Sequence, residues 1–244
     1  MIRLLVSPGS LAPGALVVTG DDHHYLFRVR RLRPGDRLVL FDGEGREAAA
    51  EVVRIDGRSG ALEVGEVVAA AAPAAARLAI GLSLLKGEKM DWCLPKLVEL
   101  GVGRIVPLAT ERSVVRLDGD RAGRRRERYR AQVRAAAQQC RAAILPEVEP
   151  ITGLEEGLAR LAGADLKLIL WEEARAIPLR SALPAAPPAQ VAVLIGPEGG
   201  FSEAEAERAA AAGFAPVGLG PRILRAETAA VAAAAILAYA FGDI

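Results

Sequence analysis

One glycine-containing segment combines a strand-end position with a residue pattern suited to binding. The apolar run VAVLI leads directly into Gly196–Gly200 (GPEGG), and Ser202 with Glu205 has the spacing of a capping box that opens a helix. Glycines at the carboxyl end of a parallel strand let backbone amides and carbonyls approach a ligand. A tight structural turn is the alternative interpretation of this segment taken alone.

A second segment places charged side chains beside another predicted strand end. The run APVGLG continues into PRILR, and Glu227 then opens a helix whose acidic first turn suits the helix dipole. Arg225 and Glu227 could orient or deprotonate a substrate group, although each could also form only a surface ion pair. Neither segment has the GK[ST] of a P-loop or the third glycine of GxGxxG. A phosphate-anchored nucleotide is therefore disfavoured.

Histidine and cysteine are too few for a His-rich metal site, whereas their number alone does not exclude a Ser-His-Asp triad. The two histidines, His23 and His24, are interpreted as strand-start or surface residues, and no GxSxG nucleophile elbow occurs. Cys93 and Cys140 have neither CxxC nor metal-ligand spacing. We therefore expect two reduced cysteines and no metal.

The elements that must position these segments follow two patterns. In the first part, short apolar runs alternate with PGD, DGEG and DGRSG turns, which predicts a small β-barrel over 1–70. After Arg77, four buried-looking runs are each followed by a segment of helical composition. This alternation predicts an α/β domain over 71–244 with a mainly parallel sheet. The stretch Ala69–Ala76 is interpreted as the connection.

Five helices are predicted in the second domain. They are Met90–Leu100, Arg124–Ala143, Gly153–Ala162, Glu203–Ala212 and Glu227–Ala240. Pro95 falls inside the first of these helices, and proline is tolerated only near a helix start. The sequence therefore leaves the start of that helix open.

Arginine is concentrated although the net charge is only +1. Between Arg104 and Arg141, eleven arginines stand against four acidic residues, a pattern that fits either a phosphate-binding surface or a solvated helix face. A second basic cluster in the first domain suits either an RNA backbone or a charged edge strand. Its members are Arg28, Arg30, Arg31 and Arg33.

Composition and hydropathy indicate a soluble globular protein. The chain is 52% hydrophobic and 25% charged, and its most apolar stretches are interrupted by charge, glycine or proline. The start at Met1 has no basic region followed by a long apolar run. We therefore expect a cytoplasmic protein without a membrane segment.

Four segments together resemble the RsmE family of SPOUT methyltransferases over nearly the whole chain. They are LIGPEGGFSEAE, LGPRILRAETAA, LLKGEKMDW with KLVELGVGRIVPLATERS, and PGDRLVLFDGEG. The resemblance implies an α/β fold: a PUA-like β-barrel that helps to grip RNA precedes a SPOUT-type domain with a C-terminal trefoil knot. It also implies binding of S-adenosylmethionine, a homodimer, and methylation of N3 of uridine 1498 in the 16S rRNA of the small ribosomal subunit.

The family's motifs can be carried over residue by residue. The implied cofactor-binding residues are Leu170, Trp171, Glu172, Gly196, Pro197, Glu198, Gly199, Gly200, Leu219, Gly220, Ile223, Leu224, Arg225, Glu227, Thr228 and Ala229. Catalytic roles are predicted for Arg225, which would stabilise the deprotonating base, for Glu227, which would position it or take its proton, and for Glu198 in reserve. The predicted RNA-binding residues are Arg3, Arg28, Arg30, Arg31, Arg112, Arg124 and Arg125.

Two positions depart from the family's pattern. Where the family commonly reads EQxGR before a VP pair, this chain has QQCRA at 138–142 before Leu145 and Pro146, so the arginine comes one place early. The sequence leaves the effect on that turn open. Arg30 also stands where a leucine is usual, which adds charge.

Two other functions compete with this interpretation. A ribose 2′-O-methyltransferase of the SPOUT class would share the knotted domain but lack the barrel and the GPEGGF and LGPRILRAET pair. A non-enzymatic RNA-binding assembly factor would use the same basic surfaces without binding S-adenosylmethionine.

Overall fold

A computed structural model of the chain describes residues 1–70, 77–113, 119–171, 177–242 and 244. The chain divides into two compact units. One comprises Met1–Ala72 with Ala137–Leu145, and the other comprises Pro73–Ala136 with Pro146–Ile244. Most of the predicted connection at 69–76 lies outside the described residues. The division at residue 70 therefore stays a prediction.

The first unit is built on a five-stranded sheet. Its strands are β1 (Ile2–Leu5), β2 (Gly14–Thr19), β3 (Arg37–Phe41), β4 (Arg46–Ile55) and β5 (Ser59–Ala69). They are ordered β1-β3-β4-β5-β2, with β1 parallel to β3 and the other neighbours antiparallel. Side chains alternate between buried and exposed along β4 and β5, as expected for a sheet with one face on a core. The predicted strands are confirmed, and β1 is an additional one.

The histidines lie in a helical segment. Helix α1 (Gly20–His23) continues directly into a π-helical turn at His24–Val29. His23 is buried, and its Nε2 lies 3.1 Å from the carbonyl oxygen of Asp56. The strand-start interpretation is therefore wrong, because this segment buries His23 through a helical turn instead. His24 is exposed, as the surface interpretation expects.

The second unit contains an eight-stranded parallel sheet. Its strands are β6 (Leu78–Ser83), β7 (Arg104–Ala109), β8 (Glu147–Val148), β9 (Thr152–Gly153), β10 (Leu166–Leu170), β11 (Ile177–Pro178), β12 (Val191–Ile195) and β13 (Ala215–Gly218). The order is β11-β13-β10-β12-β6-β7-β8, and β9 also pairs with β7. Each of these pairings is parallel. The predicted parallel α/β architecture is confirmed.

Helices cover the central strands of this sheet. They are α2 (Lys89–Glu99), α3 (Gly119–Cys140), α4 (Leu154–Leu161), α5 (Leu179–Ala182), α6 (Glu203–Ala211) and α7 (Ala226–Ala240). All residues of β6 and β12 are buried, which requires cover on both faces. Apolar residues of α4 and α6 form one cluster with alternate residues of the strands. Helix α7 packs against β6, β12 and α2.

Helix α2 runs through Pro95, against the expectation that a proline would stay near the helix start. Proline inside a helix loses a backbone hydrogen bond and costs roughly 3 kcal/mol. The apolar side chains of Met90, Leu94 and Leu97 are fully buried along this helix. Tertiary packing of that face outweighs the local preference of proline.

Helix α3 both begins and ends earlier than the predicted Arg124–Ala143. Arg141 follows it with a φ of +66°, and the N–H of Ala142 donates to the carbonyl of Ala137 at 3.1 Å. These features define a Schellman cap, whose left-handed residue is usually glycine. The family's EQxGR has its glycine at this position. The altered turn therefore keeps the helix cap, with an arginine in the strained conformation.

The segment after α3 belongs to the first unit. The N–H of Leu145 donates to the carbonyl of Gly43 at 2.7 Å, and the N–H of Gly45 donates to the carbonyl of Ala143 at 3.2 Å. A Cβ at Gly43 would lie only 3.0 Å from the Cβ of Leu145. The DGEG turn therefore needs its first glycine for a close approach as well as for the turn.

The left-handed conformation of Arg141 predicts a stabilising substitution. Arg141→Gly should raise the free energy of unfolding by about 0.5–1 kcal/mol, because glycine adopts this backbone without the steric cost of a side chain. Arg141→Ala is the matched control, since it removes the guanidinium but keeps the strain, and its effect should stay within about 0.5 kcal/mol. Urea denaturation measures both. Equal stabilisation by the two variants would contradict the backbone explanation.

Candidate functional site

A cavity of about 660 Å³ lies in the second unit at the carboxyl ends of the neighbouring strands β13, β10 and β12. This volume is in the range of small-molecule sites, and the carboxyl ends of parallel strands are where such ligands bind. Glycine and apolar residues make up most of its lining. The charged side chains that line it are Lys89, Glu198, Arg222 and Arg225.

The loop after β12 forms one wall of the cavity. Gly196, Pro197, Glu198 and Gly200 line it. A Cβ at Gly196 would lie 3.0 Å from the backbone N of Phe201, so the loop is too tight for a side chain there. Gly200 has a φ of +69°, and its N–H donates to the carbonyl of Pro197 at 2.9 Å. The segment is thus both a tight turn and a wall of the cavity.

The buried carboxylate of Glu205 fixes this loop in place. It accepts the N–H of Ser202 at 2.9 Å and the N–H of Glu111 at 2.8 Å, while the Ser202 hydroxyl accepts the N–H of Glu205 at 3.2 Å. The predicted capping box is therefore confirmed. Because Glu111 follows β7, the same carboxylate also ties a second segment to the loop. Arg112 adds a hydrogen bond to the carbonyl of Gly199 at 2.9 Å.

The loop after β13 forms another wall. Gly220 has a φ of +119°, and a Cβ there would meet only open space. Arg225 is the N-terminal cap residue of α7, and its carbonyl accepts the N–H of Ala229 at 2.8 Å. Within the described part of the chain, its exposed guanidinium forms no hydrogen bond or ion pair. This cation is therefore available to a ligand.

Lys89, in the first turn of α2, connects the two loops electrostatically. Its Nζ lies 2.8 Å from Oε1 of Glu198 and 3.7 Å from Oε2 of Glu227. Burial alone would raise the pKa of Glu198, but hydrogen bonds from Lys89 and from the N–H of Lys86 hold that pKa below its usual value. A carboxylate held in this way is a weak base. Glu198 therefore suits an electrostatic role better than proton transfer.

Sequence reasoning missed Lys89. A lysine at the start of a helix opposes the helix dipole, so helix stability alone does not explain its position. The hydrogen bond to Glu198 raises the pKa of Lys89, which keeps the ammonium charged. The KGEK run that precedes the predicted first helix is the signal that could have identified it.

Most of the predicted cofactor-binding residues line the cavity. Those that do are Leu170, Trp171, Gly196, Pro197, Glu198, Gly200, Leu219, Gly220, Ile223, Leu224, Arg225 and Ala229. Glu172 lies outside the described residues. Gly199, Glu227 and Thr228 do not line it. Thr228 is exposed, whereas Oε2 of Glu227 is buried and has no hydrogen-bond partner among the described residues.

The predicted RNA-binding arginines differ in how they are held. Arg3 is buried, pairs with Glu47 at 2.9 Å and lies over the ring of Phe41, so the structure argues against its contact with RNA. Arg112 is exposed, but its guanidinium donates a hydrogen bond to the carbonyl of Gly199. Arg125 is half-buried. The remaining exposed members are Arg28, Arg30, Arg31 and Arg124.

The described residues provide neither a clustered metal site nor a membrane-spanning helix. They contain no group of three or more His, Cys, Asp or Glu side chains placed to hold a metal ion. None of the helices in those ranges combines the length and the apolar character that crossing a membrane requires.

Known proteins match both units of the chain. A family described as RNA methyltransferase domain matches residues 72–238, and one described as RNA methyltransferase PUA domain matches residues 18–64. The ribosomal RNA small subunit methyltransferase E of Bacillus subtilis is 32% identical over 91% of this chain and 89% of its own length. This chain belongs to the ribosomal RNA small subunit methyltransferase E (RsmE) family. The family assignment made from the four sequence segments is thereby confirmed.

Solved structures of similar proteins agree with RsmE membership. The RsmE structure from Neisseria gonorrhoeae, bound to S-adenosyl methionine, has a TM-score of 0.88 and 34% identity, and the match covers 97% of this chain and 96% of that one. A methyltransferase from Legionella pneumophila in complex with the same cofactor has a TM-score of 0.89 and 33% identity, with coverage of 98% and 97%.

The hydrogen bonds of Glu205 predict that even an isosteric change is harmful. Glu205→Gln should lower the free energy of unfolding by about 1–3 kcal/mol, because the amide NH₂ would face a backbone N–H that a carboxylate oxygen now accepts. Glu203→Gln, exposed in the first turn of the same helix, is the matched control and should cost less than about 0.5 kcal/mol. Thermal or urea unfolding compares the two. A similar loss in both variants would refute the role given to Glu205.

Proposed function

We propose that this chain is an S-adenosylmethionine-dependent methyltransferase that modifies N3 of uridine 1498 in the 16S rRNA of the small ribosomal subunit. The observation that carries the proposal is the cavity between the glycine-containing loops after β12 and β13. It occurs in a chain of the RsmE family, and two similar proteins were solved with this cofactor.

The residues of the cavity fit S-adenosylmethionine. Trp171, Phe201 and Leu170 offer an apolar surface suited to an adenine ring, and the glycines of both loops leave backbone donors and acceptors accessible. Glu198 places a negative charge at the wall, which complements a cationic group. When bound, the cofactor supplies a methyl group already activated on a sulfonium, so no metal is required.

Residues of the chain must remove a proton from the methyl acceptor. Uracil N3 carries a proton at neutral pH, so a base and a stabiliser of the resulting anion are needed. We assign the carboxylate of Glu227 to position or accept the proton, because its Oε2 has no hydrogen-bond partner among the described residues. Arg225 stabilises the anion with its exposed guanidinium. Glu198, whose pKa is lowered, supports the charge balance instead of acting as the base.

RNA binding is assigned to arginines of each unit that are exposed or half-buried. In the first unit, the π-helical turn at His24–Val29 supplies Arg28, and Arg30 and Arg31 follow it. Such turns are frequent at functional sites. The guanidinium of Arg30 lies over the ring of Tyr25 and forms a cation–π contact with it. In the second unit the candidates are Arg112, Arg124 and Arg125.

Three further properties belong to the proposal. The C-terminal trefoil knot rests on the family resemblance.

A homodimer would cover the exposed side chains of Trp92 on α2 and of Ile236 and Tyr239 on α7. These two helices pack against each other. The cytoplasm is the proposed location, because the small ribosomal subunit is the proposed substrate.

Methyl transfer from labelled S-adenosylmethionine to small subunits that lack the modification tests the proposal. Mapping the label should identify N3-methyluridine at position 1498. Label on a ribose 2′-oxygen or on another base, or no transfer at all, would contradict it.

The assigned catalytic roles predict the effect of two substitutions. Arg225→Ala and Glu227→Gln should each lower kcat by about 10²–10³-fold, because each removes a group that acts in the transition state. Glu207→Gln, an exposed change on α6, is the control and should keep normal turnover. Normal turnover in both site variants would show that the assignments are wrong.

A further inference from the structure

The charged cluster beside the cavity has the hydrogen-bonding pattern of a uracil receptor. The edge of uracil that carries N3 presents two carbonyl oxygens with an N–H donor between them. A complementary surface must present a donor, an acceptor and a donor. The matching groups are the guanidinium of Arg225 as a donor, the carboxylate of Glu227 as an acceptor and the ammonium of Lys89 as the second donor. Two of them start α7, and the third starts α2, which packs against α7.

The donor on α2 is available to a ligand. The ammonium of Lys89 has three N–H groups, and among the described residues it makes one hydrogen bond, to Glu198 at 2.8 Å. Its distance of 3.7 Å to Oε2 of Glu227 is too long for a second one. The side chain is 33% exposed and lines the cavity. A bound base can therefore reach this ammonium without displacing Glu198.

The acceptor on α7 lacks a partner but lies outside the cavity lining, so the side chain of Glu227 must turn toward a bound base. The side chain of Glu227 is only 12% exposed. Its Oε2 is buried and has no hydrogen-bond partner within the described ranges. A buried acceptor without a partner is costly, so it favours a ligand that brings a donor. The hydrogen bond to Glu198 is the main cause of the raised pKa of Lys89, with Glu227 adding to it and Arg225 opposing it. The four charges are therefore close enough to act on one another.

We propose that Lys89 is a catalytic and specificity-determining residue: it donates a hydrogen bond to one carbonyl oxygen next to N3, Arg225 donates to the other, and Glu227 faces the N3–H. This inference rests on the proposed function. Glu198 is a positioning residue that holds the lysine charged and in place.

The chemical step follows from these contacts. The N3–H bond breaks, the proton passes to the carboxylate of Glu227, and the electron pair stays on uracil, where the two carbonyl oxygens share the charge. Lys89 and Arg225 stabilise those oxygens, and the in-plane lone pair of N3 is then free. The cofactor, when bound, would supply the methyl group: an N3–C bond would replace the C–S bond, whose electron pair would stay on sulfur. The proton leaves Glu227 for water when the product departs.

The same pattern discriminates against cytosine. Cytosine carries an amino donor where uracil has a carbonyl oxygen, and its N3 is an unprotonated acceptor. The amino group would face a cation, and the N3 lone pair would face the carboxylate of Glu227. Complementary hydrogen bonding to a base edge discriminates by about 5- to 150-fold. Lys89 therefore helps to select uridine.

The test compares Lys89→Met, which keeps the length of the side chain, with Lys89→Arg, which keeps charge and donors. Substrates are small subunits lacking the modification and containing uridine or 5-fluorouridine, in which fluorine makes N3 more acidic. Lys89→Met should lower kcat on uridine by about 10²–10³-fold. The ratio of kcat on 5-fluorouridine to kcat on uridine should be at least tenfold larger for Lys89→Met than for the wild type. The rate of Lys89→Met should also keep rising with pH above the range where the wild-type rate levels off. Lys89→Arg should restore most of the activity.

A binding measurement provides a readout besides activity. In the presence of S-adenosylhomocysteine, the wild-type protein should prefer subunits with uridine at the target position over subunits with cytidine, and Lys89→Met should lose about tenfold of that preference. Calorimetry should show that Lys89→Met still binds S-adenosylmethionine, which establishes that its cavity is intact.

The outcomes separate the two proposals. Normal kcat in Lys89→Met overturns the role of Lys89. An equal loss on uridine and 5-fluorouridine with an unchanged pH profile also overturns it, because a merely structural residue would give that result. If the wild-type protein itself transfers no methyl group to uridine N3, the proposed function fails instead.

Discussion

The burial of β6 and β12 is the constraint on which the second unit depends. Every residue of both strands is buried, so helices must cover both faces of the sheet. The strand ends are then where connecting loops can form a concave surface. Because β13, β10, β12 and β6 are parallel neighbours, the segments that follow their carboxyl ends gather at one edge. The cavity lies there for this geometric reason.

Charge pairing shapes what the cavity can bind. Lys89 compensates Glu198 at 2.8 Å, whereas Arg225 has no ion-pair partner among the described residues, and one oxygen of Glu227 has no hydrogen-bond partner there. A partly desolvated setting strengthens these interactions compared with water. The site thus combines a compensated charge pair and an accessible cation with a buried acceptor just outside the cavity lining.

The local parts of the site could be predicted from sequence, and the nonlocal parts could not. GPEGG follows β12 directly and PRILR follows β13 after Leu219 and Gly220, so the chain itself shows that they are loops at strand ends. Lys89 joins the site only because β6 pairs with β12, and no local pattern reveals that pairing. Arg3 carries the same charge as the other arginines, but Glu47, far along the chain, pairs with it in the interior. A residue type alone therefore does not distinguish a surface contact from an internal ion pair.

The central claim is that the cavity between the loops after β12 and β13 holds S-adenosylmethionine, and a crystal structure of the protein with that cofactor tests it most directly. The account predicts the cofactor against the backbone of Gly196–Gly200 and Leu219–Arg225, with Lys89 still paired to Glu198. Cofactor density at another place on the chain, or an empty cavity at saturating cofactor, would contradict the account.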